Sequence, residues 1–221
     1  MSEDLKNISI IIADDHPFYR DGLMNVLKLE PRFKVVAQAA DGVELLSLAK
    51  EHEPDLLIVD ISMPNMTGID AVKKVISAKL KSRAIALTMH SEDNIILQML
   101  DAGAMGYLDK NTTKDELFEA IESVAIHDKV YFPASTRMHM FELLSESNYK
   151  PYPDKKLTFS EREVAVIKLV CQDFSSKDIG DRLEISARTV ETHRIRIMER
   201  MGVRSVAGLV AYAYSHKIVL P

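Results

Sequence analysis

Five polar side chains, far apart along the chain, carry the chemistry: Asp14, Asp15, Asp60, Thr88 and Lys110. Each stands at the end of a run of apolar residues or within two positions of it. Taken singly, they have ordinary explanations. An Asp after a strand forms a turn or caps a helix, a Thr suits a strand, and a Lys in a loop is solvated. Taken together they mean more, because strands of one parallel sheet bring all five to the same edge. Three carboxylates gathered there repel, at about 4 kcal/mol per pair for ~4 Å and an effective dielectric of ~20. A divalent cation removes that repulsion, and oxygen-only ligands favour Mg²⁺ over Zn²⁺. Lys110 adds a second positive charge and Thr88 a hydroxyl. Such a pocket around one acceptor carboxylate, Asp60, suits receipt of a phosphoryl group. The carboxylate attacks, while metal and lysine stabilise charge on the equatorial oxygens. The product gains about -1.5 to -2 charges, which Thr88 and Lys110 are placed to sense.

The elements that must hold these groups are legible from periodicity. Leu56-Leu57-Ile58-Val59 runs straight into Asp60, reading as a strand buried on both faces. Pro64 and Gly68 shape the loop beyond it. Further strands are expected at 8–13, 34–39, 83–88 and 105–109, alternating with helices that open at Asp15-His16-Pro17 and cover 43–50, 69–78, 93–102 and 115–126. Five strands alternating with five helices imply a doubly wound parallel sheet with right-handed crossovers.

The chain of 221 residues suits two domains. Its net charge of -5 hides an asymmetry: residues 1–126 hold 13 basic and 21 acidic side chains, residues 155–221 hold 12 basic and 8 acidic. The basic half is the one to expect on nucleic acid. A lone Cys171 rules out an internal disulfide and fits a reducing compartment. The polar start Met1-Ser2-Glu3-Asp4 is wrong for a secretory signal, and no apolar run approaches ~18 residues. A cytoplasmic protein without a membrane span is the expectation.

Between the halves, residues 127–154 lose the regularity. Met138, Phe141, Leu143 and Leu144 suggest a short helix, and Asn148 to Asp154 a semi-extended Pro-rich linker. Beyond it, Thr158 with Glu161 reads as a capping box before Val164, Ile167, Leu169 and Val170. Ser175 and Ser186 are caps of the next two helices, Gly202 ends the second of these, and Ser205 caps a last helix to about His216. Two helices joined by a tight turn, the second basic, fit a helix-turn-helix. On that second helix Val190, His193, Ile197 and Met201 fall at core spacing, which turns Arg188, Glu191, Thr192, Ile195, Arg196 and Glu199 outward. Arg196 and Thr192 are placed to read base edges; Lys177, Arg194 and Arg200 are placed to meet phosphates.

Asp14-Asp15, Asp60 with Met63-Pro64 and Gly68, Thr88, and Gly106-Tyr107-Leu108-Asp109-Lys110 resemble the receiver domain of bacterial two-component response regulators over residues 7–126. The resemblance implies a flavodoxin-like fold and phosphorylation of Asp60 by a partner histidine kinase. It implies Mg²⁺ held by Asp15 and Asp60, by the Ser62 carbonyl, and by Asp14 through water. It further implies a switch in which Thr88 turns toward the phosphoryl group and Tyr107 changes rotamer. Met89 departs from the small residue frequent after the switch threonine, and its bulk would narrow access to Asp60; Ser62 and His90 lie where side chains tune water attack. Leu157 to Val164, Ser176 to Gly180, Ile185 to His193 and Met201-Gly202-Val203 resemble the LuxR-type (NarL-like) DNA-binding domain over 155–218. That implies four helices, the third in the major groove with Ser186, Arg188 and Thr189 in its motif, and the fourth a dimer contact. Glu191 stands where relatives often carry lysine; it can accept from a cytosine amino group.

The combined expectation is a transcription regulator of the NarL/FixJ group: receiver 1–126, linker 127–154, DNA-binding domain 155–221, acting as a homodimer on double-stranded DNA. Two rivals are a regulator that binds DNA without phosphorylation and a hydrolase using Asp60 as nucleophile. Against the hydrolase, the position two residues beyond Asp60 is Ser62 rather than a second carboxylate.

Overall fold

The computed structural model describes residues 7–89, 93–133, 157–203 and 206–219. The expected linker helix around Met138–Leu144, the segment 148–154, His90 and the Ser205 cap lie outside the described residues. The first half alternates β1 (Ile8–Ala13), α1 (Pro17–Leu27), β2 (Phe33–Ala39), α2 (Gly42–His52), β3 (Leu56–Val59), α3 (Gly68–Ser77), β4 (Arg83–Thr88), α4 (Asp93–Ala102), β5 (Gly106–Asp109) and α5 (Lys114–Ala125). The strands pair in the order β2-β1-β3-β4-β5, all parallel. Residues of β3 alternate between two apolar layers: Leu56 and Ile58 pack with Ile10, Ile12, Ile85 and Leu87, while Leu57 and Val59 pack with Ile11, Ala71, Val72 and Ala86. All four β3 residues are buried, which is why this strand reads as an unbroken apolar run.

The register levels the strand ends. Ala13 lies opposite Val59, and Val59 opposite Ala86. The ladder runs one residue further at the rim: the Asp60 N–H donates to the Ala13 carbonyl at 2.8 Å, and the Lys110 N–H to the Thr88 carbonyl at 2.9 Å. Beyond Asp60 the chain folds tightly back. The Gly68 N–H donates to the Ile61 carbonyl at 2.9 Å, and a Cβ at Gly68 would fall 2.0 Å from the Asp60 carbonyl oxygen. Asn65, with φ 60, bonds through its side-chain amide to Asp41, which also caps α2. The loop carrying Asp60 is therefore stapled to its neighbour.

Receiver packing extends past residue 126. Tyr131 pairs with Gly106 in an isolated parallel bridge, and Tyr131 and Phe132 are both buried. The second half holds α6 (Glu161–Cys171), α7 (Ser176–Leu183), α8 (Ala187–Met201) and α9 (Val206–Ser215). Caps at Ser175 and Ser186 and the Gly202 terminus, φ 74, match the expectation. The first capping box does not: it is formed by Ser160 and Glu163, two residues later than Thr158 and Glu161. Both tetrads fit the pattern, and the Thr158 carbonyl instead receives Arg200. No helix among the described residues is long and apolar enough to cross a membrane.

Replacing Gly68 by Ala should lower stability by about 3 kcal/mol through overpacking against the Asp60 backbone. Gly22→Ala, where nothing lies within 4 Å of the new methyl, should instead gain about 0.5–1 kcal/mol of helix propensity. Urea midpoints of the two variants measure this; equal midpoints would refute the packing argument.

Candidate functional site

All five residues singled out above reach one rim. Asp14 and Asp60 are 2% and 4% exposed, at the ends of β1 and β3. Thr88, the last residue of β4, is fully buried. Lys110 follows β5 and closes the group: its Nζ lies 2.6 Å from Asp14 Oδ2 and 2.9 Å from Asp60 Oδ2. Burial would lower the lysine pKa, but the hydrogen bonds to Asp14 and Asp60 and their charges outweigh it and hold it above the ordinary value. Its ammonium also lies 4.8 Å from the centre of the Tyr19 ring, and the Tyr19 hydroxyl donates to the Lys110 carbonyl at 3.2 Å. Burial, then the charges of Asp14, Asp60 and Asp109, push the Tyr19 hydroxyl up to about 12. Tyr107 on β5 is buried, its pKa likewise raised to about 12 by burial and Asp109. Ser62 and Met89 lie exposed beside the pocket, Met89 with 64% of its surface in solvent.

The residues fit a divalent cation. Asp15 Oδ1 is buried without a hydrogen-bond partner. One ligand atom from each of Asp14, Asp15, His16 and Asp60 falls within 4.8 Å of all the others. An orphan carboxylate oxygen facing two further acids is a costly arrangement that a hard cation resolves. His16 and Tyr19 are members of this pocket that sequence reasoning missed. His16 was visible only as the start of a helix, and nothing in spacing tells that the Tyr19 ring turns toward Lys110.

The second half presents α8. Ser186, Arg188, Thr189, Glu191, Thr192 and Arg196 are exposed, as is Lys177 on α7. Ser186, Arg188, Thr189, Thr192, His193 and Arg196 line a shallow cavity of about 340 Å³. The buried line of α8 differs from expectation. It is Val190, Arg194, Ile197 and Met201, with His193 only half-buried. Spacings of four and three residues fit either 193 or 194, so periodicity does not decide between them. Partners decide: Arg194, 5% exposed, donates to Ser176 Oγ at 2.6 Å and pairs with Asp128 Oδ2 at 3.0 Å. A buried guanidinium is tolerable only when so satisfied. Asp128 belongs to the first half and also takes Arg83 Nε at 2.8 Å. Arg200 is bound by Glu163 and the Thr158 carbonyl. On the flank around Arg194, a cleft of about 730 Å³ separates α8 residues Glu191, Ile195 and Met198 from receiver residues including Ile76, Ser82 and Arg83.

A doubly wound sheet with an acid pocket and lysine at its carboxyl edge, joined to a helix-turn-helix, defines a receiver coupled to a DNA-binding module. Comparison with known proteins agrees. A family described as "Response regulator receiver domain" matches residues 10–122, and one described as "Bacterial regulatory proteins, luxR family" matches 157–213. The chain is 33% identical over 215 residues to the oxygen regulatory protein NreC of Staphylococcus aureus (strain JH9), covering 96% of this chain and 99% of that one. The receiver domain of the response regulator NarL from Mycobacterium tuberculosis superposes with a TM-score of 0.53 at 35% identity, covering 54% of this chain and 97% of that one. A structure of two RcsB dimers bound to two parallel DNAs gives 0.56 at 25% identity, covering 95% and 99%. The chain belongs to the response regulators that join a receiver domain to a LuxR-family DNA-binding domain, and it is a DNA-binding transcription regulator of the two-component type.

Lys110→Met should cost roughly 3 kcal/mol in metal-free buffer, because it takes from the buried Asp14 and Asp60 carboxylates the ammonium they share. Added Mg²⁺ should then raise the variant's Tm more than that of the wild type. Equal stability without metal would contradict the pairing.

Proposed function

We propose that Asp60 accepts a phosphoryl group from the phosphohistidine of a partner kinase, and that this releases the DNA-binding half. The observation that carries the reading is the convergence of Asp14, Asp60, Thr88 and Lys110 at one rim, with Lys110 bonded to both acids. A carboxylate oxygen of Asp60 attacks phosphorus, the new O–P bond forms, and the P–N bond to the kinase imidazole breaks. Asp14, Asp15, Asp60 and the Ser62 carbonyl are the groups suited to hold Mg²⁺, which when bound neutralises charge on the phosphoryl oxygens. Lys110 then exchanges its bond with carboxylate for one with a phosphoryl oxygen. Thr88, one strand over, donates its hydroxyl to another, and Tyr107 repacks beside it. The chain assists phosphoryl transfer to and loss from its own Asp60 and turns over no other substrate.

The described state supports a release step. Arg194 of the DNA-binding helix is held by Asp128, and its neighbours face the receiver across the cleft. Phosphorylation shifts the population toward a form in which α8 is exposed on both flanks. Two copies then occupy half-sites on double-stranded DNA, paired through α9, which gains effective concentration. Arg196, Thr192 and Glu191 read bases there, while Ser186, Arg188, Thr189 and Lys177 contact the backbone; Arg194, buried against Ser176, and Arg200, held by Glu163 and the Thr158 carbonyl, brace the domain instead of meeting phosphate as the sequence led us to expect. The fold divides as a receiver over 1–126 with its tail to Phe132, a connection through 154 and a DNA-binding domain over 155–221, working in the cytoplasm.

Specific DNA affinity should rise on treatment with Mg²⁺ and acetyl phosphate in the wild type and not in Asp60→Asn. Equal affinities would favour a regulator that ignores phosphorylation. Asp128→Ala should raise affinity of the untreated protein by about fivefold, the worth of one partly exposed ion pair; no gain would mean the contact does not restrain α8. Arg196→Ala should cost about 1–3 kcal/mol and relax one base preference, whereas Lys177→Ala should weaken all sequences alike and flatten the salt dependence.

A further inference from the structure

Lys110 is held by more than its two acids. Its ammonium lies 4.8 Å from the centre of the Tyr19 ring, within cation–π range, and the Tyr19 hydroxyl donates to the Lys110 carbonyl at 3.2 Å. One side chain therefore touches both ends of the lysine, its ammonium and its backbone. Tyr19 is itself fixed. It stands in the first turn of α1, directly before Arg20, whose guanidinium donates to the Asp14 carbonyl. The Tyr19 N–H donates to the His16 carbonyl at 3.1 Å. The end of β1 thus presents an acid to the ammonium and, through α1, an aromatic ring as well. The lysine side chain is only 6% exposed and Tyr19 is half-buried, so the contact is largely out of water, where a cation–π pair is strongest.

A lysine side chain is a point charge on a flexible four-carbon stem, and in phosphoryl transfer it must stay on the equatorial oxygens. Here Asp14 and Asp60 each hold the ammonium through Oδ2. Either bond is given up when its acid is phosphorylated or neutralised, and the ring contact remains. Building on the phosphoacceptor reading above, we infer that Tyr19 is a positioning residue for phosphoryl transfer: it keeps Lys110 aimed at the Asp60 oxygen while the acids change partners. Asp60 takes the phosphoryl group from acetyl phosphate as acetate leaves, and water later removes it as inorganic phosphate. Both steps place charge on the same equatorial oxygens beside Lys110, so a mis-aimed ammonium slows both alike.

The test follows uptake and loss of the phosphoryl group by the full chain, with acetyl phosphate and Mg²⁺, on phosphate-affinity gels. Tyr19→Leu, which lacks both the aromatic face and the hydroxyl, should slow both steps about tenfold; Tyr19→Phe, which keeps the face, should stay within about threefold of the wild type. In a Lys110→Met background, Tyr19→Leu should change neither rate by more than about twofold, because no ammonium is left to aim. Nuclear Overhauser contacts between the Lys110 ε-methylene and the Tyr19 ring are expected in the wild type, a readout that needs no variant. Wild-type rates in Tyr19→Leu, an equal slowing with and without Lys110, or absence of the ring contacts would overturn the role of Tyr19 and leave Asp60 standing as phosphoacceptor. Failure of the wild type to take up a phosphoryl group would overturn the phosphoacceptor reading and this inference with it.

Discussion

Two buried carboxylates sharing one ammonium is the constraint on which the rest of the receiver depends. Asp14 and Asp60 lie at adjacent strand ends with almost no solvent contact, and Lys110 is the cation that makes this tolerable. Such a cluster is a poor source of stability, since desolvation of three charges offsets much of their attraction. Its value lies in exchangeability. A cation that binds the acids, or a phosphoryl group that binds the lysine, finds a partner already desolvated and aimed. The parallel register enforces that geometry by carrying the ladder one residue past Ala13 and Val59, so that Asp60 is positioned by a backbone bond as well as by its side chain.

The same exchange logic describes the junction between the halves. Asp128 is divided between Arg83 of β4 and Arg194 of α8. Because β4 ends at Thr88 in the pocket, one strand has that buried hydroxyl at its carboxyl end and the shared ion pair at its start. On the release reading, the Asp128–Arg194 pair is the contact that phosphorylation must break, and β4 runs from that contact to the pocket. The apolar layer beneath α1 and α5 joins the core of the helical half through residues such as Tyr131 and Val170.

Most of the receiver was legible because its strands are short, largely apolar and punctuated. The first and fourth strands fall where periodicity places them, and the pocket follows from strand ends alone. What was not legible has physical causes. Helix periodicity cannot separate His193 from Arg194 as the buried residue, since the deciding partner, Asp128, is remote in sequence. The Ser160 cap and its Thr158 competitor obey one pattern. Tyr131 continues the sheet edge through a single bridge, too short to show alternation. The orientations of His16 and Tyr19 are tertiary facts with no spacing signature.

The central claim is that Asp60 is the phosphoacceptor because the fold gathers its supporting groups around it. Treating the full chain with acetyl phosphate and Mg²⁺, reducing with borohydride and mapping the peptides tests it most directly, since the reductant converts only an acyl phosphate to an alcohol. A single reduced side chain at position 60 is the predicted result. Reduction at another carboxylate, or none with Asp60 intact, would contradict the account.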